Sequence, residues 1–303
     1  MANVLESLSN EMAGLVESVG ASIVRVEARK RQPASGIVWS DNGVIVTTNH
    51  VVQRDENITI GLPDGETTTA TLVGRDPTTD IAVLQAESSG LTAATWVESS
   101  DVAVGNLVLA LGRPGLTVQS TLGVISGLGT KWRTAAGGEM ERYFQTDVTM
   151  YPGFSGGPLA TAGGQMAGIN SSALMRGVSL TIPTGTVRGV TQALMAYGHM
   201  PRGYMGVGIQ PVRLPDAIQE ELGQETGLML MSIESEGPAE KAEMLQGDIL
   251  VKLGDDAIRY ADELQLCLTG DRVGQEVEAL VVRSGQLKKM TVTIGAKQAP
   301  AEE

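Results

Sequence analysis

The sequence predicts a mainly β protein, with two packed antiparallel barrels followed by a small α+β domain. Three observations carry this prediction. Glycine is abundant, with 38 of 303 residues, and aromatic residues make up only 3%; Val, Ile, Leu and Thr recur in short runs, the composition of short strands joined by tight turns. About twelve such runs follow one another before residue 183 with no helical pattern between them, as in paired barrels. Beyond Tyr204 the pattern changes to strands mixed with helical stretches, and the chain is long enough for two or three domains with separate cores.

In chain order, Val4, Leu5, Leu8, Met12, Leu15, Val16 and Val19 recur at helical spacing with Glu6, Asn10, Glu11 and Glu17 off that face. Residues 4–19 are therefore predicted as an amphipathic helix within an N-terminal segment 1–20. Strand runs cover 22–28, 36–39, 44–48, 58–62, 68–74 and 81–86; after a division near 88–101 they resume at 107–112, 119–127, 143–146, 164–170 and 178–182. Asp41-Asn42-Gly43 and Pro63-Asp64-Gly65 supply the residue types of hairpin turns. Residues 183–197 read as a helix closing a domain 21–197, and 198–203 as a linker with Gly and Pro. Residues 204–296 hold strands at 207–210, 228–233, 249–253, 277–283 and 288–294, with helices at 214–222 and 262–269, before an acidic tail 297–303.

A net charge of -13 and a pI near 4.7 argue against a nucleic-acid or anionic-membrane surface, which needs clustered Lys and Arg. The single cysteine, Cys267, excludes an internal disulfide and reads as a buried core thiol within Leu264 to Leu268. Residues 1–20 show no basic region, continuous apolar run or cleavage site of an export signal, and no run approaches the roughly 20 apolar residues of a spanning helix. On this basis the protein is expected to be cytoplasmic, or exported if its N-terminus is trimmed. Two distant histidines and one cysteine form no zinc cluster, and no phosphate-binding Gly-x-x-x-x-Gly-Lys-Ser/Thr loop is present, so no cofactor or metal is expected.

The chemistry centres on Gly153-Phe154-Ser155-Gly156-Gly157-Pro158-Leu159. A serine between glycines in a tight turn exposes a hydroxyl, and the Gly153 and Ser155 amides are placed to stabilise an oxyanion. A serine hydroxyl needs a base within hydrogen-bond reach and a third group fixing that base's tautomer. His50, in Thr48-Asn49-His50-Val51-Val52, follows a strand, whereas the other histidine, His199, sits in the linker. Asp80 precedes the apolar run Ile81 to Leu84 and needs a donor at the barrel interface, for which His50 is suited; Asp76, followed by Pro77, fits a turn former better.

The order His50, Asp80, Ser155 is that of chymotrypsin, a match to a known template rather than a derivation. Thr-Asn-His-Val-Val, Asp-Ile-Ala-Val-Leu at 80–84, Gln145-Thr146-Asp147 and Gly-x-Ser-Gly-Gly-Pro-Leu together resemble the HtrA (Deg) family of trypsin-like serine proteases with a C-terminal PDZ domain. The resemblance runs from about residue 10 to 296 and implies a chymotrypsin-like double barrel, with His50 and Asp80 on one barrel and Ser155 on the other. It implies endopeptidase activity on unfolded or misfolded proteins, and N-terminal segments that meet in trimers, although a helix capping its own barrel explains 4–19 equally well.

By the same resemblance the pocket for the residue before the cleaved bond is formed by Thr149 and the strand Leu180-Thr181-Ile182. None of these is charged, so cleavage after small or medium aliphatic residues is expected. Tyr204-Met205-Gly206-Val207 resembles the PDZ loop that receives a peptide's C-terminal carboxylate, with the peptide adding as a strand beside 206–210. Gly237-Pro238-Ala239 and Gly247-Asp248-Ile249 belong to the same pattern. One position departs: Phe154 stands where the resembled family usually carries Asn and chymotrypsin-type relatives Asp. Its ring either packs beneath the loop and holds it or turns the oxyanion amides away, and with the unfamiliar loop 131–141 it leaves an idle, peptide-binding scaffold as the alternative.

Overall fold

The computed structural model describes residues 3–30, 32–130, 132–134, 139–140, 142–175, 180–268 and 272–297. Strand residues 178–179, much of the loop 131–141, Thr269 and tail residues 298–303, all named above, lie outside the described residues. The chain divides into two units, 1–200 and 201–303.

In the first unit, α1 (Val4–Gly20) precedes β1 (Ile23–Glu27), β2 (Ala34–Val38), β3 (Val44–Thr48), β4 (Ile58–Gly61), β5 (Thr67–Asp76) and β6 (Ile81–Ala86). These six strands close a barrel in the order β1-β2-β3-β6-β5-β4, with every described pairing antiparallel. The β2–β3 hairpin turns at Gly43, whose φ of +93° and approach to the Ser88 and Ala86 carbonyls leave no room for a Cβ. The second barrel uses β7 (Leu107–Gly112) and β8 (Gln119–Gly129); a short hairpin of β9 (Trp132–Arg133) and β10 (Glu139–Met140) follows outside it. It is completed by β11 (Tyr143–Thr146), β12 (Pro158–Thr161), β13 (Met166–Ser171) and β14 (Leu180–Pro183), in the order β11-β14-β13-β12-β7-β8. α2 (Thr184–Tyr197) follows and ends at Gly198 in the left-handed conformation.

Strand alternation explains why these runs are apolar throughout instead of every second residue. On β1, Val24 and Val26 fill the first barrel with Ile45, Ile60 and Leu84, while Ile23 faces the other way. On β7, Val108 and Ala110 fill the second barrel with Ile125, Phe144 and Leu159. The outward residues Ile23, Ile37, Val46, Val83, Leu109, Leu111, Ile169 and Ile182 form a third core between the barrels, closed by Val187, Val190 and Leu194 of α2. Met12, Leu15 and Val16 of α1 pack on this core, whereas Val4, Leu5 and Leu8 are exposed. Met140 is fully buried in the same core, so the described part of the unfamiliar loop is anchored between the barrels.

The second unit contains β15 (Arg202–Tyr204), β16 (Val207–Arg213), α3 (Asp216–Leu222), β17 (Thr226–Ile233), α4 (Pro238–Lys241), β18 (Ile249–Leu253) and β19 (Asp256–Ala257). It ends with α5 (Ala261–Cys267), β20 (Glu276–Arg283), β21 (Gln286–Thr293) and β22 (Gly295–Lys297). The main sheet runs β16-β17-β18-β20-β21 with β19 on β18, and β15 pairs separately with β22. The predicted linker thus ends in a strand, because the backbone of Arg202 to Tyr204 pairs with a segment nearly a hundred residues away that local sequence does not announce. Cys267 is buried; burial first, then the neighbouring Asp256, pushes its thiol up to about 11, so it stays protonated near neutral pH.

The buried Asp248 accepts two hydrogen bonds from Arg283, 2.8 Å from Nε and 2.7 Å from a terminal nitrogen, and one from the Leu245 amide. Burial raises its pKa, but the Arg283 hydrogen bonds and the Leu245 amide outweigh this and hold the carboxyl below its ordinary value. Its contribution is therefore complete above the unfolded carboxyl pKa of about 4 and is lost as pH falls through the lower folded value. Asp248→Asn is expected to destabilise this unit by about 2 kcal/mol and to remove that acid limb. Hydrogen exchange of β20 and β21 across a pH series checks it; the Trp39, Trp96 and Trp132 indoles all lie in the first unit and would not report.

Candidate active site

His50 follows β3 in a single 3₁₀ turn, Asn49–Val51, and Asp80 holds this turn from two sides. The Asp80 carbonyl accepts the Asn49 amide at 3.0 Å, and its carboxylate accepts the His50 amide at 2.9 Å. The same carboxylate meets His50 Nδ1 at 2.8 Å, so the tautomer with hydrogen on Nδ1 is favoured and Nε2 is left as the basic nitrogen. Ser171 of β13 donates a further bond to Asp80 Oδ2 at 2.5 Å. Three donors thus compensate a carboxylate whose side chain is only 5% exposed.

Asp80 itself has φ +61°, in the left-handed region that Asp tolerates better than most residues. Asp76 builds the turn that leads to it: its buried carboxylate accepts the Thr78 amide at 2.9 Å and the Thr78 and Thr79 hydroxyls at 2.6 Å each. With its oxygens so engaged, Asp76 is a turn former. His199 forms an isolated bridge with Arg75 and shares no described hydrogen bond with His50, Asp80 or Ser155.

Ser155 lies on the turn between β11 and β12. Ser35 of β2 ties this turn to the first barrel: its amide donates to the Ser155 carbonyl at 3.1 Å, its hydroxyl donates to the Gly153 carbonyl at 2.7 Å, and its own carbonyl accepts the Thr47 hydroxyl at 2.7 Å. Gly156, with φ +84°, lies so close to the Ser35 carbonyl and Thr47 hydroxyl that a Cβ cannot fit. Within the turn the Phe154, Gly156 and Gly157 amides donate to Tyr151, Asn170 and Phe154 carbonyls. The Gly153 and Ser155 amides donate to no acceptor among the described residues. Gln32 Nε2 holds the Pro152 carbonyl at 3.2 Å.

The Phe154 side chain is fully buried in the second barrel's core and meets Tyr151 edge to face, ring centroids 5.7 Å apart. Of the two possibilities open in the sequence, the ring takes the one in which it packs beneath the loop. Ser155 Oγ makes its hydrogen bond to Ser172 Oγ at 3.0 Å, and no bond joins it to the His50 ring among the described residues. Ser35, Ser171 and Ser172 were not marked by sequence: they stand just outside the strand runs 36–39 and 164–170, where only the fold decides which serine turns toward the site.

The expected pocket strand is buried throughout. Ile182 belongs to the core between the barrels, Thr181 donates to Asn170 Oδ1 at 2.9 Å, and Leu180 pairs across from Ser171. Thr149 is exposed, with its carbonyl accepting the Thr121 hydroxyl at 2.9 Å. In the second unit, Met205 is core, Tyr204 ends β15, Gly206 turns with φ +74°, and Val207 begins β16. The Gly206 and Met205 carbonyls accept the Glu234 and Ala239 amides, while the Met205 and Gly206 amides donate to no described acceptor. Among the described residues no group of acidic, His and Cys side chains could hold a metal, and no helix is long and apolar enough to cross a membrane.

Truncating Phe154 removes a ring that carries the turn, so Phe154→Ala is expected to destabilise the first unit by about 3 to 5 kcal/mol. Urea unfolding followed by tryptophan emission measures it directly.

The sequence matches the trypsin-like peptidase domain model over residues 34–169 and the PDZ domain model over 203–294. A probable periplasmic serine endoprotease, DegP-like, from Ectopseudomonas mendocina is 34% identical over 275 residues, 89% of this chain and 57% of that one. A protein so named from Chlamydia muridarum is 31% identical, over 92% of this chain and 56% of its own. The chain therefore spans little more than half the length of these relatives. Among solved structures, the HtrA-type protease AlgW with decapeptide superposes with a TM-score of 0.66 at 26% identity, covering 95% of this chain and 99% of that chain. The serine endoprotease from Yersinia pestis does so at 0.63 and 28%, covering 95% and 97%. The relatives' periplasmic names overturn the cytoplasmic expectation and point to export; an acidic chain with one cysteine fits either compartment, so that expectation rested on the N-terminal residues alone. The chain belongs to the HtrA (Deg) family of trypsin-like serine proteases, with a trypsin-like peptidase domain followed by one PDZ domain.

Proposed function

We propose that the chain is a serine endopeptidase that cleaves extended segments of unfolded or misfolded proteins through an acyl-enzyme on Ser155. The observation that carries this reading is the Asp80–His50 pair, 2.8 Å apart, beside a serine turn whose Gly153 and Ser155 amides donate to no acceptor among the described residues. His50 Nε2 takes the Ser155 proton as Oγ attacks the peptide carbonyl, and Asp80 stabilises the imidazolium. The Gly153 and Ser155 amides receive the oxyanion. His50 then returns the proton to the leaving amine, and water, deprotonated by His50, releases the acyl group. The relatives named endoproteases favour this over an idle scaffold.

Thr149 and the uncharged strand Leu180 to Ile182 favour a small or medium aliphatic residue before the cleaved bond. At the PDZ domain, peptide C-termini bind with the carboxylate on the amides of the Tyr204 to Val207 loop, pairing along β16, which stands at the end of its sheet. The peptide held by AlgW is in keeping with this. The exposed Val4, Leu5 and Leu8 of α1 support association of copies, and we assign them to a trimer contact.

Intact-mass detection of fluorophosphonate labelling tests the nucleophile: one adduct on the wild type and none on Ser155→Ala is expected, with kcat for a peptide falling at least about 10⁴-fold in the variant. Ser35→Ala is expected to lower kcat roughly 10- to 100-fold at nearly constant KM, by freeing the Gly153 carbonyl. A peptide-library profile is expected to favour Val, Ala or Leu, and one dominated by Arg or Lys rejects the pocket assignment.

A further inference from the structure

Two adjacent serines at the end of β13 touch opposite ends of the catalytic group. Ser171 donates to Asp80 Oδ2, and Ser172 shares a hydrogen bond with Ser155 Oγ at 3.0 Å. We propose that Ser172 is a positioning residue which holds the Ser155 hydroxyl in a resting orientation, away from His50, until catalysis begins. This deepens the endopeptidase reading and rests on it.

In the proposed resting state Ser155 is the donor, and the contact then competes with the bond that activates the nucleophile. If Ser155 donates, its one proton points at Ser172 and His50 Nε2 has nothing to take. With Ser172 as donor the Ser155 proton would stay free for His50, so an unmoved His50 signal identifies that arrangement. Release requires little motion. Ser171, the last residue of β13, is fully buried, and Ser172, the first residue beyond the strand, is exposed. Ser171 Oγ also accepts the Ala173 amide at 3.2 Å, so the backbone on both sides of Ser172 is held while its own side chain is free to change rotamer. One rotation about the Ser172 Cα–Cβ bond ends the contact and leaves Ser171 on Asp80.

The chain has two histidines, so imidazole nitrogen signals of a ¹⁵N-histidine sample divide between His50 and His199, with His199 as internal control. Above the ordinary histidine pKa of about 6.5, Ser172→Ala is expected to move the His50 Nε2 signal toward that of a hydrogen-bond acceptor and leave His199 unchanged. Adding Ser155→Ala should reverse the shift, and Ser172→Thr, which keeps the hydroxyl, should match the wild type. Fluorophosphonate labelling of Ser172→Ala should be about 2- to 10-fold faster, the worth of one net hydrogen bond, with KM for a peptide ester unchanged and Thr restoring the slower rate. An unmoved His50 signal, or Ser155-dependent labelling that occurs but is no faster than in the wild type, overturns the proposal. A moved signal without any Ser155-dependent labelling would reject the hydrolase reading and leave the Ser172 contact standing.

Discussion

The geometry of the candidate site hangs on Ser35. One residue of β2 joins the first barrel to the serine turn through its amide, hydroxyl and carbonyl, and its hydroxyl also accepts the Arg113 amide at 2.8 Å. The two halves of the site sit on different barrels, His50 and Asp80 on one and Ser155 on the other, so their registry depends on bonds that cross the interface. Apolar packing between barrels brings the surfaces together but is non-directional. The polar bonds of Ser35, and of Ser171 to Asp80, supply the direction.

Arg113 extends this frame to α1. Its guanidinium donates to the carbonyls of Ile23, Leu116 and Gly20, the last residue of the helix, at 2.7 to 2.9 Å. Burial draws its pKa below the ordinary value, and the three carbonyls compensate the desolvated charge. One residue's backbone therefore meets the serine turn's anchor while its side chain holds the helix end, coupling α1 to the site through two short steps. Phe154 supports the turn from below by packing alone. Where an anionic or amide side chain would need polar partners, this ring needs only a cavity of its own shape.

Much of this was legible in the sequence, for identifiable reasons. The barrels were visible because strands with two buried faces read as unbroken apolar runs, and the turns because Asp-Asn-Gly and Pro-Asp-Gly have few other uses. The His50, Asp80 and Ser155 words were legible through local motif. The hairpin of β9 and β10 and the pairing of β15 with β22 were not, since two- and three-residue strands carry no periodicity. Nor were Ser35, Ser171 and Ser172, small polar residues whose roles arise from partners up to 118 positions away.

The left-handed backbone at Asp80 bears on what evolution can do with this site. Position 80 is constrained by its carboxylate and, separately, by its φ of +61°. Asn would keep the backbone and lose the charge; Glu would keep the charge but place it one methylene farther out on a backbone it tolerates less well. Gly would relieve the backbone and remove the group altogether. No single replacement preserves both properties, so each of these substitutions loses either the charge beside His50 or the backbone that presents it.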